Sequence, residues 1–207
     1  MTVRRIAAAS VLAATAAAVL TFTLGGAGSD ARTEEKPTPV AAPVAAPSTT
    51  DLAYAHMMIA HHAQAVRMSR GLVAKPAVPE RVRAIAEFIA SDQQREIDEM
   101  TAWLDAWGQN VGRHEDHAEP GKHGMLTETQ LADLDAAPAK AATPKFLQLM
   151  IEHHTGAIGS SRTLLDEGKG RNTYIHTMAK HVINEQSAEN DAMRALLPGG
   201  ANALAAG

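Results

Sequence analysis

The sequence predicts an all-α protein, a four-helix bundle made of two similar helical hairpins and a connecting loop that contains histidines. Aromatic residues make up 3% of the 207 residues and cysteine is absent. The core therefore has to be built from Ala, Leu, Ile, Val and Met, which suits close-packed helices. The second observation is an internal repeat, because residues 58–66 (MIAHHAQAV) return 92 positions later as residues 150–158 (MIEHHTGAI).

A second element of the repeat follows each histidine pair. The pattern Gln-x-x-Glu-x-x-x-Met occurs at residues 93–100 and again at residues 186–193. Most of the repeated positions carry side chains that are able to bind a metal. The duplication therefore concerns chemistry as well as packing.

The N-terminus has the features of an export segment. Arg4 and Arg5 precede residues 6–24, a stretch without charge that is long enough for a signal peptide core or for a membrane span. Residues 1–29 are therefore predicted to be a cleaved signal peptide or an uncleaved membrane anchor. Both alternatives place the working domain outside the cytoplasm.

The remaining sequence divides into a linker, a folded domain and a tail. Residues 30–50 are rich in Pro and Ala and predict a semi-extended linker. Residues 51–197 form the predicted bundle domain, and residues 198–207 form a flexible tail. The net charge of −4 is mild, so no nucleic acid partner is predicted.

Capping and breaking residues set the predicted helix limits. Thr50 is predicted to cap the first long helix, and Pro79 to start the second. Thr127 and Gln130 form a capping box for a short helix in the connecting loop, and Thr143-Pro144 is predicted to start the third long helix. The predicted long helices span 51–70, 79–107, 144–168 and 172–197.

Steps of three and four residues place one stripe of each helix toward the core. The predicted inward-facing residues are Tyr54, Met58, His61, Ala65, Met68 and Leu72; Ala86, Ile89, Gln93, Glu96, Met100, Trp103 and Trp107; Phe146, Met150, His153, Ala157, Ser160 and Leu164; and Ala179, Val182, Gln186, Glu189, Met193 and Leu196. A buried polar group without a partner costs about 1–3 kcal/mol. These polar side chains are therefore expected to pair with each other, with water or with a metal.

His61 and His153 are the main candidates for metal ligands. Each has a methionine three residues earlier on the same face, and the arrangement occurs twice. The alternative is a pair of core histidines that bond to Gln or Glu across the bundle. His62 and His154 either provide second ligands or border the bundle surface.

Buried methionines offer a second donor type. A thioether is a soft donor that suits Cu(I), although methionine is also a common filler of helical cores. The methionines in question are Met58, Met68, Met100, Met150 and Met193.

Buried amides and carboxylates are predicted to orient the imidazole rings, as outer partners of metal-bound histidines do. These residues are Gln93, Glu96, Gln186 and Glu189. A Glu-x-x-His pattern is missing from the sequence, which argues against a ferritin-type oxidase. Nucleophile-elbow and phosphate-loop patterns are also missing, so no enzymatic activity is predicted.

Further histidines occur outside the repeat. His114, His117, His123 and Met125 lie in the predicted connecting loop, which is either a solvated loop or a capture site for metal. His181 is unrepeated and shares a helix face with Glu185.

At these residues the chain resembles domain-of-unknown-function family 305, a group of exported bacterial proteins. The paired Met-Ile-x-His-His motif, the two Gln-x-x-Glu-x-x-x-Met elements and Gly124-Met125 carry the resemblance over residues 51–197. The resemblance implies a ferritin-like bundle and, from some members, copper binding by His and Met. The chain departs from the family pattern at Ser160, where the second copy usually has Met.

The sequence thus predicts an exported metal-binding protein that serves copper buffering, resistance or delivery to a copper-handling partner protein. Copper is the expected ion, and other transition metals are the alternative. A haem-binding or redox bundle with axial His and Met ligands is a second hypothesis. A structural or interaction bundle without metal is a third. Membrane contact is expected only through an uncleaved N-terminal segment, and the oligomeric state is left open.

Overall fold

A computed structural model describes residues 45–109 and 121–197 of the chain. It confirms the all-α bundle, with no strand in either described range. Its helices are α1 (Thr49–Val73), α2 (Glu80–Ala106), α3 (Glu128–Ala136), α4 (Ala139–Asp166) and α5 (Thr173–Leu196). In the two described ranges no helix combines the length and the apolar character needed to cross a membrane.

The first helix begins earlier than its predicted cap. Ser48, not Thr50, caps α1, because its hydroxyl accepts the N–H of Asp51 at 3.1 Å while the Asp51 carboxylate accepts the N–H of Ser48 at 2.8 Å. A cap at Thr50 would place Ala53 at the reciprocal position, and alanine cannot return a hydrogen bond. The box at Ser48 therefore satisfies two backbone donors where Thr50 could satisfy one.

The start of α4 also differs from the sequence prediction. Thr143 does not cap this helix, which begins at Ala139 and contains Pro144. A proline close to a helix start removes only one intrahelical N–H donor, so the preceding turn remains helical. The hydroxyl of Thr143 donates to the carbonyl of Ala139 at 2.7 Å instead. The predicted short helix is confirmed, since Thr127 and Gln130 form the capping box of α3.

Two helical hairpins build the bundle, because α1 packs mainly on α2 and α4 mainly on α5. One apolar cluster joins Tyr54 of α1 to Leu164 of α4, and a second joins Leu72 to Phe146. The N-terminal half of α1 therefore meets the C-terminal half of α4, and the two helices run antiparallel. This exchange of ends relates the two hairpins by an approximate two-fold axis.

The inward-facing stripes follow the prediction except at Trp103 and Trp107 in α2, Ser160 in α4 and Leu196 in α5, which are only partly buried. In α2 the fully buried residue is Leu104, while Trp103 is half-buried and its ring stacks on Tyr174 with centroids 5.2 Å apart. In α4 the buried residue is Ser161 and not Ser160. The neighbouring predicted positions Ala157 and Leu164 are buried, so Ser161 replaces Ser160 within an otherwise unshifted stripe of α4.

Candidate functional site

A layer of polar side chains separates the two apolar clusters of the bundle. None of its members is more than 5% exposed. We call it the polar layer, and it consists of His61, His62, Gln93 and Glu96 from the first hairpin and His153, His154, Gln186 and Glu189 from the second. Every one of these residues belongs to the sequence repeat, so each hairpin supplies the same four side chains.

His61 and His153 meet at the centre of the polar layer. Their ring centroids are 3.6 Å apart, the ring planes are inclined by 31°, and both residues are completely buried. Burial lowers the pKa of both imidazoles well below the ordinary value, and the neighbouring histidines lower it further. Both rings are therefore neutral at physiological pH, which is the state that can bind a metal.

His62 and His154 are fully buried and each approaches a carboxylate on the partner helix of its own hairpin. His62 Nε2 donates to Glu96 Oε2 at 2.6 Å. His154 Nε2 lies 2.8 Å from Glu189 Oε2, without the alignment of a hydrogen bond. The carboxylates thus contact the second histidine of each pair, whereas the first histidines turn toward each other.

Two neighbouring histidines set the pKa of the buried Glu96 carboxyl. Burial alone would raise the pKa of Glu96, but the hydrogen bond from His62 and the proximity of His181 bring the pKa below its usual value. The Glu96 carboxylate is therefore charged at neutral pH. It holds a negative charge at the edge of the polar layer.

Several buried polar atoms of this layer have no hydrogen-bond partner among the described residues. They include both ring nitrogens of His153, Nδ1 of the other three layer histidines, and both side-chain polar atoms of Gln93 and Gln186. Native proteins satisfy most such groups with protein, water or an ion. The polar layer thus offers unused nitrogen donors in a water-poor interior.

Buried methionines flank the polar layer on both sides. Met58 and Met100 belong to the apolar cluster on one side, and Met150 and Met193 belong to the cluster on the other. Met58 and Met150 stand one helical turn before His61 and His153, so they point along the same faces. Met68 is buried in the same cluster as Met150. Each methionine therefore fills the core, and Met58 and Met100 of one cluster correspond in the repeat to Met150 and Met193 of the other.

Residues 121–127, which precede α3, lie beside the stacked histidines, and we call them the covering segment. The carbonyl of His123 accepts a hydrogen bond from His61 Nε2 at 3.1 Å. Gly124 has a positive φ of 81°, and a Cβ there would lie 2.7 Å from the carbonyl oxygen of His153. On the α4 side of the same contact, a Cβ at Gly156 would lie 2.0 Å from the carbonyl oxygen of His123. Two glycines thus allow the backbones to touch where the segment covers the polar layer.

Gln64 holds the same segment from the α1 side. Its amide nitrogen donates to the carbonyl of Leu126 at 3.0 Å, and its amide oxygen accepts the N–H of Leu126 at 2.7 Å. The ring of His123 pairs with the hydroxyl of Ser160, with Nδ1 and Oγ 2.7 Å apart. Ser160 therefore binds the covering segment from the α4 side.

The predicted loop site is only partly within the described residues. His114 and His117 lie outside them. The carbonyl of His123 binds His61 and its ring binds Ser160, while Met125 of the same segment is buried. The described part of this loop therefore acts as a cover for the polar layer.

Sequence reasoning missed the partner of His181. His181 Nε2 lies 2.6 Å from Glu96 Oε1, on the neighbouring hairpin, whereas the sequence showed only that His181 shares a helix face with Glu185. No local pattern points to this contact, because it joins residues that are far apart in the chain. Aligning the two repeat copies shows that His181 corresponds to Phe88 and has no histidine counterpart, which would have made it a stronger candidate.

Comparisons with known proteins agree with this architecture. The sequence profile of DUF305, described as a domain of unknown function, matches residues 51–197. The chain is similar to a DUF305 fragment from Deinococcus radiodurans, with 27% identity, a TM-score of 0.63, and coverage of 73% of this chain and 97% of that one. It is also similar to a DUF305 protein from Streptomyces coelicolor that is predicted to be secreted, with 28% identity, a TM-score of 0.64, and coverage of 73% and 93%. No curated protein matches the sequence significantly.

Proposed function

The chain belongs to the DUF305 family, and we propose that it is an exported metal-binding protein whose cargo is copper. His61 and His153 are the central ligands in this proposal. His62 and His154 are further imidazole donors, and the methionines that flank the polar layer supply thioether sulfur. The role is copper buffering, resistance or delivery to a copper-handling partner protein.

The unpartnered nitrogens of the buried imidazoles are the observation that carries the proposal. Both ring nitrogens of His153 and the Nδ1 atom of His61 have no partner among the described residues, although both residues are 0% exposed. Leaving such groups unsatisfied costs about 1–3 kcal/mol each. A bound ion would use the one free lone pair that each neutral imidazole has, and the depressed pKa of both imidazoles removes proton competition at neutral pH.

The donor types favour copper over other ions. The chain has no cysteine, so thiolate cannot contribute. Thioether and imidazole together suit Cu(I), and imidazole alone also suits Cu(II). Met58 and Met150 are completely buried at equivalent places beside His61 and His153, so the soft donors stand on both sides of the polar layer.

Export fits both the sequence and one relative. Residues 1–29 have the charge and apolar pattern of an export segment. The related Streptomyces protein is predicted to be secreted. An extracytoplasmic protein that binds copper without thiolates would also retain its ligands in an oxidising environment.

The close approach of the two central rings weakens the haem alternative. A haem macrocycle between His61 and His153 requires their rings to move apart, since the centroids are 3.6 Å from each other. A Soret band in the purified protein would support haem over copper. Absence of any bound metal would favour a structural or interaction bundle.

Competition with a chromogenic Cu(I) chelator under reducing conditions tests the proposal. We expect the purified protein to bind Cu(I), and we expect His61→Ala and His153→Ala each to weaken binding at least tenfold. Met58→Leu and Met150→Leu should weaken it less. His176→Ala is the matched control, because His176 is exposed on α5 and lies outside the polar layer. Equal affinity in all these variants would refute the assignment, as would a protein that binds Zn(II) and ignores Cu(I).

A further inference from the structure

Three side chains converge at the outer edge of the polar layer, between α2 and α5. One ligand atom from each of Asp92, Glu96 and His181 lies within 4.8 Å of the other two. We call these three residues the carboxylate–histidine triad. Its members come from two hairpins and differ from the stacked histidines in chemistry, since two of the three donors are carboxylate oxygens.

Glu96 links the triad to the polar layer through its two oxygens. Oε2 accepts the hydrogen bond from His62 at 2.6 Å, and Oε1 lies 2.6 Å from His181 Nε2. The Glu96 side chain is only 4% exposed, while that of His181 is 40% exposed. One carboxylate is thus fixed from inside the bundle, and the imidazole closes the group from the solvent side.

The contact between His181 and Glu96 is short but poorly aligned for a hydrogen bond. His181 Nε2 has no hydrogen-bond partner among the described residues despite its 2.6 Å distance from the carboxylate oxygen. An ion between these two atoms would need them slightly farther apart, because two donors bonded to one metal at about 2.0–2.2 Å each are separated by roughly 3 Å. A metal with bonds of about 2.0–2.2 Å to oxygen and nitrogen would fit after a small outward rotation of the exposed ring.

Asp92 contributes the third donor from a partly covered position. Its side chain is 15% exposed, and Oδ1 pairs with Arg95, which also pairs with Glu99. Arg95 fixes the Asp92 carboxylate beside Glu96 and leaves the second oxygen for another partner. The arginine also offsets part of the negative charge, so the triad favours a divalent ion over a more highly charged one.

The symmetry of the repeat creates an equivalent group that has two carboxylates but no histidine. In the repeat, Glu185 corresponds to Asp92, Glu189 corresponds to Glu96, and Phe88 corresponds to His181. Phe88, Glu185 and Glu189 line one groove on the surface of the bundle, so the equivalence also holds in space. Phe88 is 50% exposed. The two hairpins therefore differ by one imidazole at otherwise equivalent acidic sites.

We propose that Asp92, Glu96 and His181 form a second cation site, which takes a divalent ion of the Zn(II) or Mn(II) class. Two carboxylates and one imidazole suit such ions, whereas Cu(I) prefers thioether and imidazole. The remaining coordination positions face solvent and take water. The site shares no proposed ligand with the copper cargo site, which it adjoins through the hydrogen bond between Glu96 and His62. Its counterpart at Glu185 and Glu189 is inactive because Phe88 supplies no donor.

Calorimetric titration of the full-length, metal-free protein with Zn(II) tests the site. His181→Phe copies the residue of the other hairpin and should remove one Zn(II) equivalent or weaken it at least tenfold. His176→Phe is the matched control, since it removes an exposed imidazole from the same helix. Phe88→His should add one Zn(II) equivalent by completing the counterpart with Glu185 and Glu189. Circular dichroism melting curves check that each variant is folded.

Unchanged Zn(II) binding in His181→Phe overturns the proposal, and so does an equal loss in His176→Phe, which would indicate adsorption to exposed histidines. Phe88→His without an additional equivalent overturns the assignment of Phe88. Cu(I) affinity should be the same in His181→Phe and in the unmodified protein. A failure of copper binding would therefore leave the Zn(II) result standing, and the two assignments are tested separately.

Discussion

The two hairpins carry the same buried side chains but differ where they meet the covering segment and the solvent. His61, Gln93 and Glu96 match His153, Gln186 and Glu189, and all six are buried. At three other positions the correspondence fails. Gln64 corresponds to Gly156, Met68 to Ser160, and Phe88 to His181. The repeat thus preserves the polar layer, while the differences give each hairpin a separate task.

The covering segment shows this division clearly. On α1, Gln64 binds the backbone of Leu126 through both ends of its amide. On α4, Gly156 lets the backbone of His123 come into direct contact, and Ser160 binds the His123 ring. The first hairpin therefore binds the segment backbone through a side-chain amide, whereas the second combines direct backbone contact at Gly156 with a hydrogen bond from Ser160 to the His123 ring.

Acid should destabilise the metal-free protein more than any single substitution does, and both hairpins should contribute. The pKa values of His61 and His153 are lowered in the folded state. Below the unfolded value of about 6.5, the unfolded chain binds protons that the folded chain does not, so the free energy of unfolding falls with pH. Each imidazole adds about 1.4 kcal/mol per pH unit in this window.

Urea denaturation with a chelator present, at pH 7.5 and at pH 5.5, measures this loss of stability. His61→Phe and His153→Phe should each remove about half of the pH dependence. An unchanged slope in one of the two variants would break the symmetry between the hairpins. Below about pH 4.5 the lowered pKa of Glu96 adds a further loss, which comes from the first hairpin.

A methyl group at Gly156 should have the next largest effect. In Gly156→Ala the added Cβ would lie 2.0 Å from the carbonyl oxygen of His123, so the covering segment has to move. We expect a loss of about 1–3 kcal/mol, as for other overpacked sites. Gly159→Ala is the control, because a Cβ there meets nothing within 4 Å and alanine favours a helix by about 0.5–1 kcal/mol. Equal stability of the two variants, measured by thermal melting, would contradict the close contact.

The smallest expected effect concerns one buried hydroxyl. Tyr54 Oη lies 2.8 Å from Ser161 Oγ, and the repeat puts Phe146 and Ser69 at the equivalent places. Tyr54→Phe should cost about 1 kcal/mol, the net value of one hydrogen bond. Phe146→Tyr should be nearly neutral, because the hydroxyl of Ser69 is buried without a partner among the described residues. A large loss in Phe146→Tyr, determined from chemical denaturation, would show that the equivalence ends in this part of the core.

The fold and the members of the polar layer could be predicted from the sequence because both depend on spacing along single helices. The stripe through Tyr54, Met58 and His61 is buried as expected, and so is the stripe through Gln93 and Glu96. Burial of a helix face follows from a period that the sequence displays directly.

Pairing within the layer could not be predicted in the same way. Neighbouring histidines point about 100° apart on a helix, and only packing decides that His62, and not His61, meets Glu96. The contact of His181 with Glu96 depends on the distance between two hairpins. The start of α4 was also misjudged, since Pro144 is tolerated within a helix when the preceding turn can form.

The stacking of His61 against its counterpart His153 has a consequence for symmetry and stoichiometry. Two identical hairpins could meet in the same way as an isologous pair, but every substitution would then occur twice. In a single chain the two hairpins remain together at any protein concentration, and each position can change on one side only. A residue near the axis still has to suit both halves, whereas His181 and Phe88, farther from it, are free to differ. One polypeptide can therefore combine a shared central site with a peripheral site that is present once per molecule.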